Sequence, residues 1–279
     1  MTNKIYYSII TPSLNQGKYI KQCIQSVINQ HYPYFEHIII DGGSTDNTHQ
    51  ILKKYDHLKV FIGQDKNHIE AVNKGIQKAK GNIISILNAD DYYELETFWT
   101  VKKNFNKTTK VLVGNCKVVN KNGKFIRKSI PITKLDKLVQ FWKYEFPLNP
   151  SSYFYRKEIH KNIGFYNEKA GPPYDYEFIL KLASNYNFDY INKYFGNWRY
   201  YKGTITYNNS RNAFSMFRTI SKKFVKNPFT KRFYIYHFSY YFYCLYPKLI
   251  LFYSFLRKKI ALRTRLKKLV FNFIHQFGL

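Results

Sequence analysis

Three aspartates each follow a short apolar run: Asp41 after Ile38-Ile-Ile, Asp65 after Val60-Phe-Ile-Gly-Gln, and Asp90 after Ile84-Ser-Ile-Leu-Asn-Ala. A carboxylate just beyond a strand can accept a hydrogen bond from a nucleobase or ribose, or hold a hard divalent metal through oxygen. Any one of them is equally well explained as a turn or helix-cap residue, but three at successive strand ends weaken that explanation. Asp175 follows Gly171-Pro-Pro-Tyr and precedes Glu177 at the start of a helical run, which makes it a further acid free to present itself from a loop. No G-x-G-x-x-G follows the first strand and no G-x-x-x-x-G-K-[ST] occurs, so the dinucleotide fingerprint and the P-loop are excluded. Cys23, Cys116 and Cys244 are too far apart for a metal knuckle or a disulfide framework and are expected to be buried free thiols. His31, His37, His68 and His160 lack metal-ligand spacing and are expected to be structural or surface residues.

The elements that must position these acids can be read from periodicity. Residues 6–11 are β-branched and aromatic and stop at Pro12-Ser-Leu-Asn; residues 18–30 carry Ile20, Cys23, Ile24, Val27 and Ile28 at helical spacing. Residues 37–40 form a second strand, and Ser44-Thr-Asp-Asn opens a second helix, with Asp46 the expected cap. A third strand spans 58–62, a third helix 69–79 stops at Lys80-Gly81, and a fourth strand over 82–87 runs into Asn88-Ala-Asp-Asp91, where Asp91 is expected to cap a turn or helix. This alternation predicts an α/β fold with a mostly parallel central sheet flanked by helices. Ligands then bind beyond the carboxyl ends of the strands, in loops 11–17, 41–46, 63–68 and 88–91. Further on, 110–119 and 124–130 read as a strand pair around Asn120-Lys-Asn-Gly123, 152–155 as a short strand and 174–184 as a helix.

Together these residues carry a resemblance. Ser8-Ile-Ile-Thr-Pro-Ser-Leu-Asn-Gln-Gly, Ser26-Val-Ile-Asn-Gln, Ile38-Ile-Ile-Asp-Gly-Gly-Ser-Thr-Asp46, Glu70-Ala-Val-Asn-Lys-Gly75 and Leu87-Asn-Ala-Asp-Asp91 resemble, in order and spacing, family 2 glycosyltransferases of the GT-A fold, in their bacterial surface-polysaccharide branch. The match covers about residues 5–206. The resemblance implies a GT-A domain over 1–209, with a nucleotide-sugar half (1–110) and an acceptor half (111–209), performing inverting transfer from a nucleotide-sugar. UDP-sugar is the default donor, although Asp41 serves another base equally well. Asn88-Ala89-Asp90 stands at the family's D-x-D position, with Asp90 holding a divalent Mn or Mg on the donor diphosphate. Asp41 matches the acid that accepts from the base, Thr11, Pro12 and Ser13 the backbone shelf beside it, and Asp65 and Lys74 the lining of the nucleotide pocket, with Lys74 a diphosphate contact. Asp175 matches the general base, with Glu177 as its fallback, and Arg199 or Lys202 reaches the diphosphate or acceptor. Three departures stand out: Asn88 replaces Asp, Tyr174 stands where a Glu is usual before the base, and Asn149-Pro-Ser-Ser replaces a His-Gln pair.

Charge adds an address. The net charge is +28, but residues 1–189 hold all 17 acids against 27 Lys+Arg, while residues 190–279 hold 18 Lys+Arg and no acid. Residues 257–277 place Leu262, Leu266, Leu269, Val270, Phe273 and Phe277 on one helical stripe and Arg263, Arg265, Lys267 and Lys268 off it; Phe214, Phe217, Ser221 and Phe224 form a second stripe. Residues 233–256 are aromatic but interrupted by Pro247-Lys248, which suits an interfacial position better than a span. The tail 210–279 is therefore expected to be a basic amphipathic helical extension that holds the protein peripherally on the inner face of the plasma membrane, beside a glycan or lipid-linked acceptor. The N-terminus has no long apolar run before a cleavage site and reads as the first strand. Two rival readings make different demands on the sequence. A basic nucleic-acid-binding protein would need neither Asp90 nor Asp175, and no nucleic-acid partner is expected. A metal-dependent nucleotidyltransferase would want a Gly- and Arg/Lys-rich loop after the first strand, which 11–17 lacks.

Overall fold

The computed structural model describes residues 5–141, 149–169, 174–204, 210–225 and 231–245. Strand β1 (Tyr7–Ser13) is buried along its whole length and lies centrally, parallel to β2 (Phe35–Asp41) on one side and β4 (Ile83–Ile86) on the other; β2 continues parallel to β3 (Leu58–Ile62). Their near-continuous Ile runs are what a strand covered on both faces requires. Helices α1 (Ile20–Ile28), α2 (Thr48–Leu52) and α3 (His68–Lys78) make the crossovers. Gly75 lets α3 lie directly on β1, because a Cβ there would come within 2.3 Å of Ile10 Cγ2. Asn67 caps α3 by accepting from the backbone N–H groups of Ile69 and Glu70.

The second half extends the same sheet. The strands β5 (Tyr92–Tyr93), β6 (Val111–Val119), β7 (Phe125–Ser129), β8 (Tyr153–Arg156) and β9 (Phe188–Arg199) join it in the order β3-β2-β1-β4-β8-β6-β9-β5, with β7 paired to β6. β8 runs antiparallel to both β4 and β6, and β6 runs parallel to β9. The carboxyl ends of β1, β2, β3, β4, β6 and β9 therefore share one edge. α4 (Thr97–Asn104), α5 (Leu135–Leu138), α6 (His160–Ile163) and α7 (Tyr174–Asn185) cover the faces. The predicted α/β fold and its four opening strands hold, as does the hairpin about Asn120–Gly123. The second helix begins later than its capping sequence suggests, at Thr48.

Two tail helices are described, α8 (Ser210–Lys223) and α9 (Lys231–Leu245). Here one expectation is corrected. The stripe assigned to a bilayer packs on the protein: Phe217 and Phe224 lie against the main core and Ser221 is buried. Phe217 meets the ring of Tyr176 at 4.8 Å and stacks on Phe141 at 5.6 Å. Tyr176 Oη lies 2.6 Å from Ser221 Oγ and donates to the carbonyl of Leu138. An apolar stripe gains as much from a protein face as from lipid, and α7 supplies that face. In α9, Tyr236 is buried in the same core while Tyr234, Phe238 and Tyr241 are exposed. Among the described residues no helix is long and apolar enough to cross a membrane. The stripe of 257–277 and residues 246–256 lie outside the described residues.

Candidate active site

The four predicted loops converge at the carboxyl edge. Gly42, just after β2, shows how closely: a Cβ there would meet Leu14 Cδ1 at 3.6 Å and both the Ser13 carbonyl and Asp65 Oδ2 at 3.7 Å. Thr11, Pro12 and Ser13 end β1 and are buried; the Thr11 hydroxyl faces inward, 2.9 Å from His37 Nε2, so only backbone remains for a ligand. Asp41 is fully buried. Its Oδ1 accepts from the N–H groups of Gly43 (3.1 Å) and Ser44 (2.8 Å) and lies 2.8 Å from His49 Nε2; its Oδ2 accepts from Ser44 Oγ (2.7 Å). Burial alone would raise its pKa, but the hydrogen bonds from Ser44 and His49 outweigh that and hold it below the usual range. Asp65 is paired: Lys74 Nζ reaches Asp65 Oδ1 at 2.6 Å and Glu70 Oε1 at 3.1 Å, while Asp65 Oδ2 is buried without a partner among the described residues. Asp46 caps as expected, accepting from Thr48 N–H, and also staples loop 11–17 through Gly17 N–H at 2.9 Å.

The acid turn after β4 differs from its expected form. Asp91 is no local cap. It is buried, and its Oδ1 accepts the backbone N–H of Arg199 at 2.8 Å while its Oδ2 receives Asn88 Nδ2 (3.2 Å) and Asn149 Nδ2 (3.4 Å). The turn is thus tied to the last residue of β9 and to the segment before β8, which is where the Asn149-Pro-Ser-Ser departure acts. Burial, then the neighbouring Asp90 charge, pushes the Asp91 carboxyl well above the ordinary range. Asp90 keeps its carboxylate toward the edge, with Tyr201 Oη 3.5 Å from Oδ2; burial raises its pKa and the Arg199 charge opposes the rise. Arg199 is 3 % exposed, so a surface charge is excluded. Its guanidinium lies over Tyr19 (4.7 Å) and Tyr92 (5.0 Å) and donates to the Asp90 carbonyl and to Gln22 Oε1. Lys202 is exposed.

Asp175 opens α7, half-buried. It shares its surroundings with the phenols of Tyr153, Tyr155 and Tyr166, whose own ionisation its charge opposes. Among the described residues no group donates a hydrogen bond to it, and burial pushes its carboxyl up to about 6. Tyr153 begins β8, whose antiparallel pairing sets it at the carboxyl end of β4, so one of the phenols beside Asp175 belongs to that end of the sheet. Glu177, the fallback base, is engaged elsewhere: it accepts from Asn167 Nδ2 at 3.0 Å and pairs with Lys223 of α8 at 3.2 Å.

The family is decided by the sequence model for Glycosyl transferase family 2, which matches residues 8–164. The chain belongs to that family. The chain is 30 % identical over 203 residues to the dolichyl N-acetyl-alpha-D-glucosaminyl phosphate 3-beta-D-2,3-diacetamido-2,3-dideoxy-beta-D-glucuronosyltransferase of Methanococcus voltae, across 67 % of this chain and 58 % of that one. It spans about half the length of the curated relatives it matches, 38 to 58 % for three of them. In fold it is similar to TarS residues 1–349 of S. aureus in complex with UDP-GlcNAc (TM-score 0.66, 22 % identity, 83 % of this chain and 70 % of that one). It is also similar to the mannosyltransferase PcManGT of Pyrobaculum calidifontis in complex with GDP-Man and Mn2+ (TM-score 0.61, 14 % identity, 100 % of this chain and 82 % of that one). At these identities the likeness is one of fold.

The sequence missed several partners within this candidate site. His49 on Asp41, Tyr201 on Asp90, Gln22, Tyr19 and Tyr92 around Arg199, and Asn149 on Asp91 all meet their targets across loops. No local spacing announces such contacts. Cys23 and Cys116 are buried free thiols as expected; the side chain of Cys244 lies outside those described.

Proposed function

We propose that the protein is an inverting glycosyltransferase that moves a sugar from a nucleotide-sugar, with a UDP-sugar the favoured donor, to a glycan or lipid-linked acceptor in cell-surface polysaccharide synthesis. The observation that carries this reading is Asp175: a carboxylate among phenols, without a hydrogen-bond donor among the described residues, beside Tyr153 at the carboxyl end of β4. An inverting displacement needs a base on the face opposite the leaving group. A carboxyl raised to about 6 is ionised at neutral pH and more basic than an ordinary aspartate, so it can take the acceptor hydroxyl's proton.

On the donor side, Asp41 reads the base beside the backbone of Thr11, Pro12 and Ser13, and the Asp65–Lys74 pair lines the nucleotide pocket. Lys74 is already neutralised by Asp65 and Glu70, which makes it a weaker diphosphate ligand than a free lysine. Among the described residues no three His, Cys, Asp or Glu side chains form a metal cluster. The acid turn nonetheless fits a hard cation in part: Asp90 offers a carboxylate and Asn88 a buried Oδ1 without a hydrogen-bond partner among the described residues, while Asp91 is committed to three N–H donors. One carboxylate and an amide oxygen would hold Mn2+ or Mg2+ only together with the donor's phosphates. Such a metal supplies Lewis-acid stabilisation of the leaving diphosphate. Arg199 does its work from behind, fixing the Asp90 carbonyl so that the carboxylate stays at the edge.

Peripheral attachment to the inner face of the plasma membrane stays part of the proposal and rests on the acid-free charge of 190–279. The experiment is a donor screen with the full chain and Mn2+, reading nucleotide diphosphate release across common nucleotide-sugars. Release from one donor class supports the reading; no release from any, with the protein folded, overturns it.

A further inference from the structure

A second basic stretch lies far from the tail. Residues 97–135 contain ten Lys+Arg and no acid. Its centre is the β6–β7 hairpin, where Lys121, Lys124 and Lys128 are exposed together with Phe125 (52 %), Ile126 (50 %) and Ile130 (61 %). Lysines on an edge strand are an ordinary guard against edge-to-edge pairing. That role does not account for three large apolar side chains left in water beside them, which increase the hazard the lysines would prevent. Apolar tips ringed by lysine instead match the chemistry of an anionic lipid surface, where the rings and branched chains enter the headgroup boundary and the ammonium groups meet phosphates. A polyanionic glycan would use the lysines but not the apolar side chains.

Position gives this patch its meaning. β6 runs parallel to β4, through the antiparallel strand between them, so the turn that follows β6 sits at the carboxyl edge. Gly123 in that turn has φ +81°, and a Cβ there would lie 3.6 Å from Tyr92 Oη and 3.9 Å from Arg199 Nη2. The hairpin thus rests against the residues that hold Asp90. We infer that the β6–β7 hairpin is a docking surface for an anionic bilayer and that it presents the mouth of the site to the headgroup layer. The docking surface stands on its own observations; only its use, delivery of a lipid-linked acceptor, rests on the proposed function.

The test uses the full chain and co-sedimentation with vesicles of phosphatidylglycerol and phosphatidylcholine in equal parts, and with phosphatidylcholine alone. Two variants are compared with the natural chain: Lys121→Glu/Lys124→Glu/Lys128→Glu, and Phe125→Ser/Ile126→Ser. Each should lower the partition coefficient on anionic vesicles about tenfold for the charge variant and about fivefold for the apolar one, with little binding to phosphatidylcholine by any. Nucleotide diphosphate release without vesicles should be unchanged, which also shows that the variants fold. Unaltered partitioning of either variant overturns the inference. So does displacement of the natural chain and the apolar variant from anionic vesicles to the same extent by a soluble anionic glycan, which would mark a glycan site. Absence of diphosphate release from the natural chain would sink the proposed function and leave the partition result standing.

Discussion

Asp41 and Asp175 are the same side chain treated in opposite ways. Asp41 ends a central strand and receives two backbone N–H groups, a serine hydroxyl and a histidine, so burial is outweighed and its pKa falls. Asp175 opens a helix among phenols, receives no hydrogen bond among the described residues, and its pKa rises to about 6. Environments that push two carboxylates apart separate their roles. Under the proposed function the first is the recognition group, held ionised by its donors, and the second, left without them, is the proton acceptor.

The strongest way to break the comparison is Asp175→Asn. Turnover should fall about 10²–10⁴-fold, with the donor dissociation constant unchanged in calorimetry. Intact turnover would remove Asp175 from the chemistry. Next in size, Asp41→Asn should cost about 1–3 kcal/mol of stability, because an amide nitrogen replaces an oxygen that donors face, and should weaken donor binding. Chemical denaturation and the same calorimetry read both; a neutral result would mean that the bonds around Asp41 contribute little.

The pH dependence sharpens the contrast, since the two signs oppose. Asp41 has a depressed pKa, so its stabilisation is present above the usual aspartate range and is lost as pH falls. Asp175 has a raised pKa, so it favours the fold below the usual aspartate value, and that contribution is lost as pH rises through about 6. Melting temperature against pH for the natural chain and Asp175→Asn should converge below the usual aspartate range, draw apart as pH rises from there to about 6, and stay apart above it, the variant being the more stable. The rate of transfer should drop on the acid side of the same value. A flat difference between the melting curves would contradict the raised pKa. The smallest effect is expected at Glu177→Gln: loss of the pair with half-exposed Lys223 should cost about 1 kcal/mol or less and leave turnover within about threefold. A larger loss of turnover would restore Glu177 as the base.

Much of the first half of the sheet was legible in the sequence. Continuous Ile runs ending in Asp41 and Asp90, helical spacing over 18–30 and 69–79, and Asn-Lys-Asn-Gly at the hairpin are local signals, and local signals suffice to fix strands, helices and turns. The second half was less legible. β9 (Phe188–Arg199) lacks regular alternation and finds its place only by pairing with β6, and the two-residue β5 exists only because β9 is there to pair with it. The tail shows the same limit more sharply. Phe217 and Ser221 form an amphipathic stripe on any reading, and the stripe carries no information about whether lipid or protein covers it.

By itself, then, the sequence determined the α/β class, the strand-end placement of Asp41, Asp65 and Asp90, the family, and the acid-free charge of the last third. Only the tertiary structure decided that Asp91 is a tie to Arg199 and Asn149 and not a cap, that Arg199 is buried between two tyrosines, that Glu177 is spent on Lys223, and that α8 belongs to the core. The reason is range. Periodicity and capping act over a few residues, whereas the ties of Asp91 to Arg199 and Asn149, of Arg199 to Gln22 and of Glu177 to Lys223 come from partners tens to more than a hundred positions away.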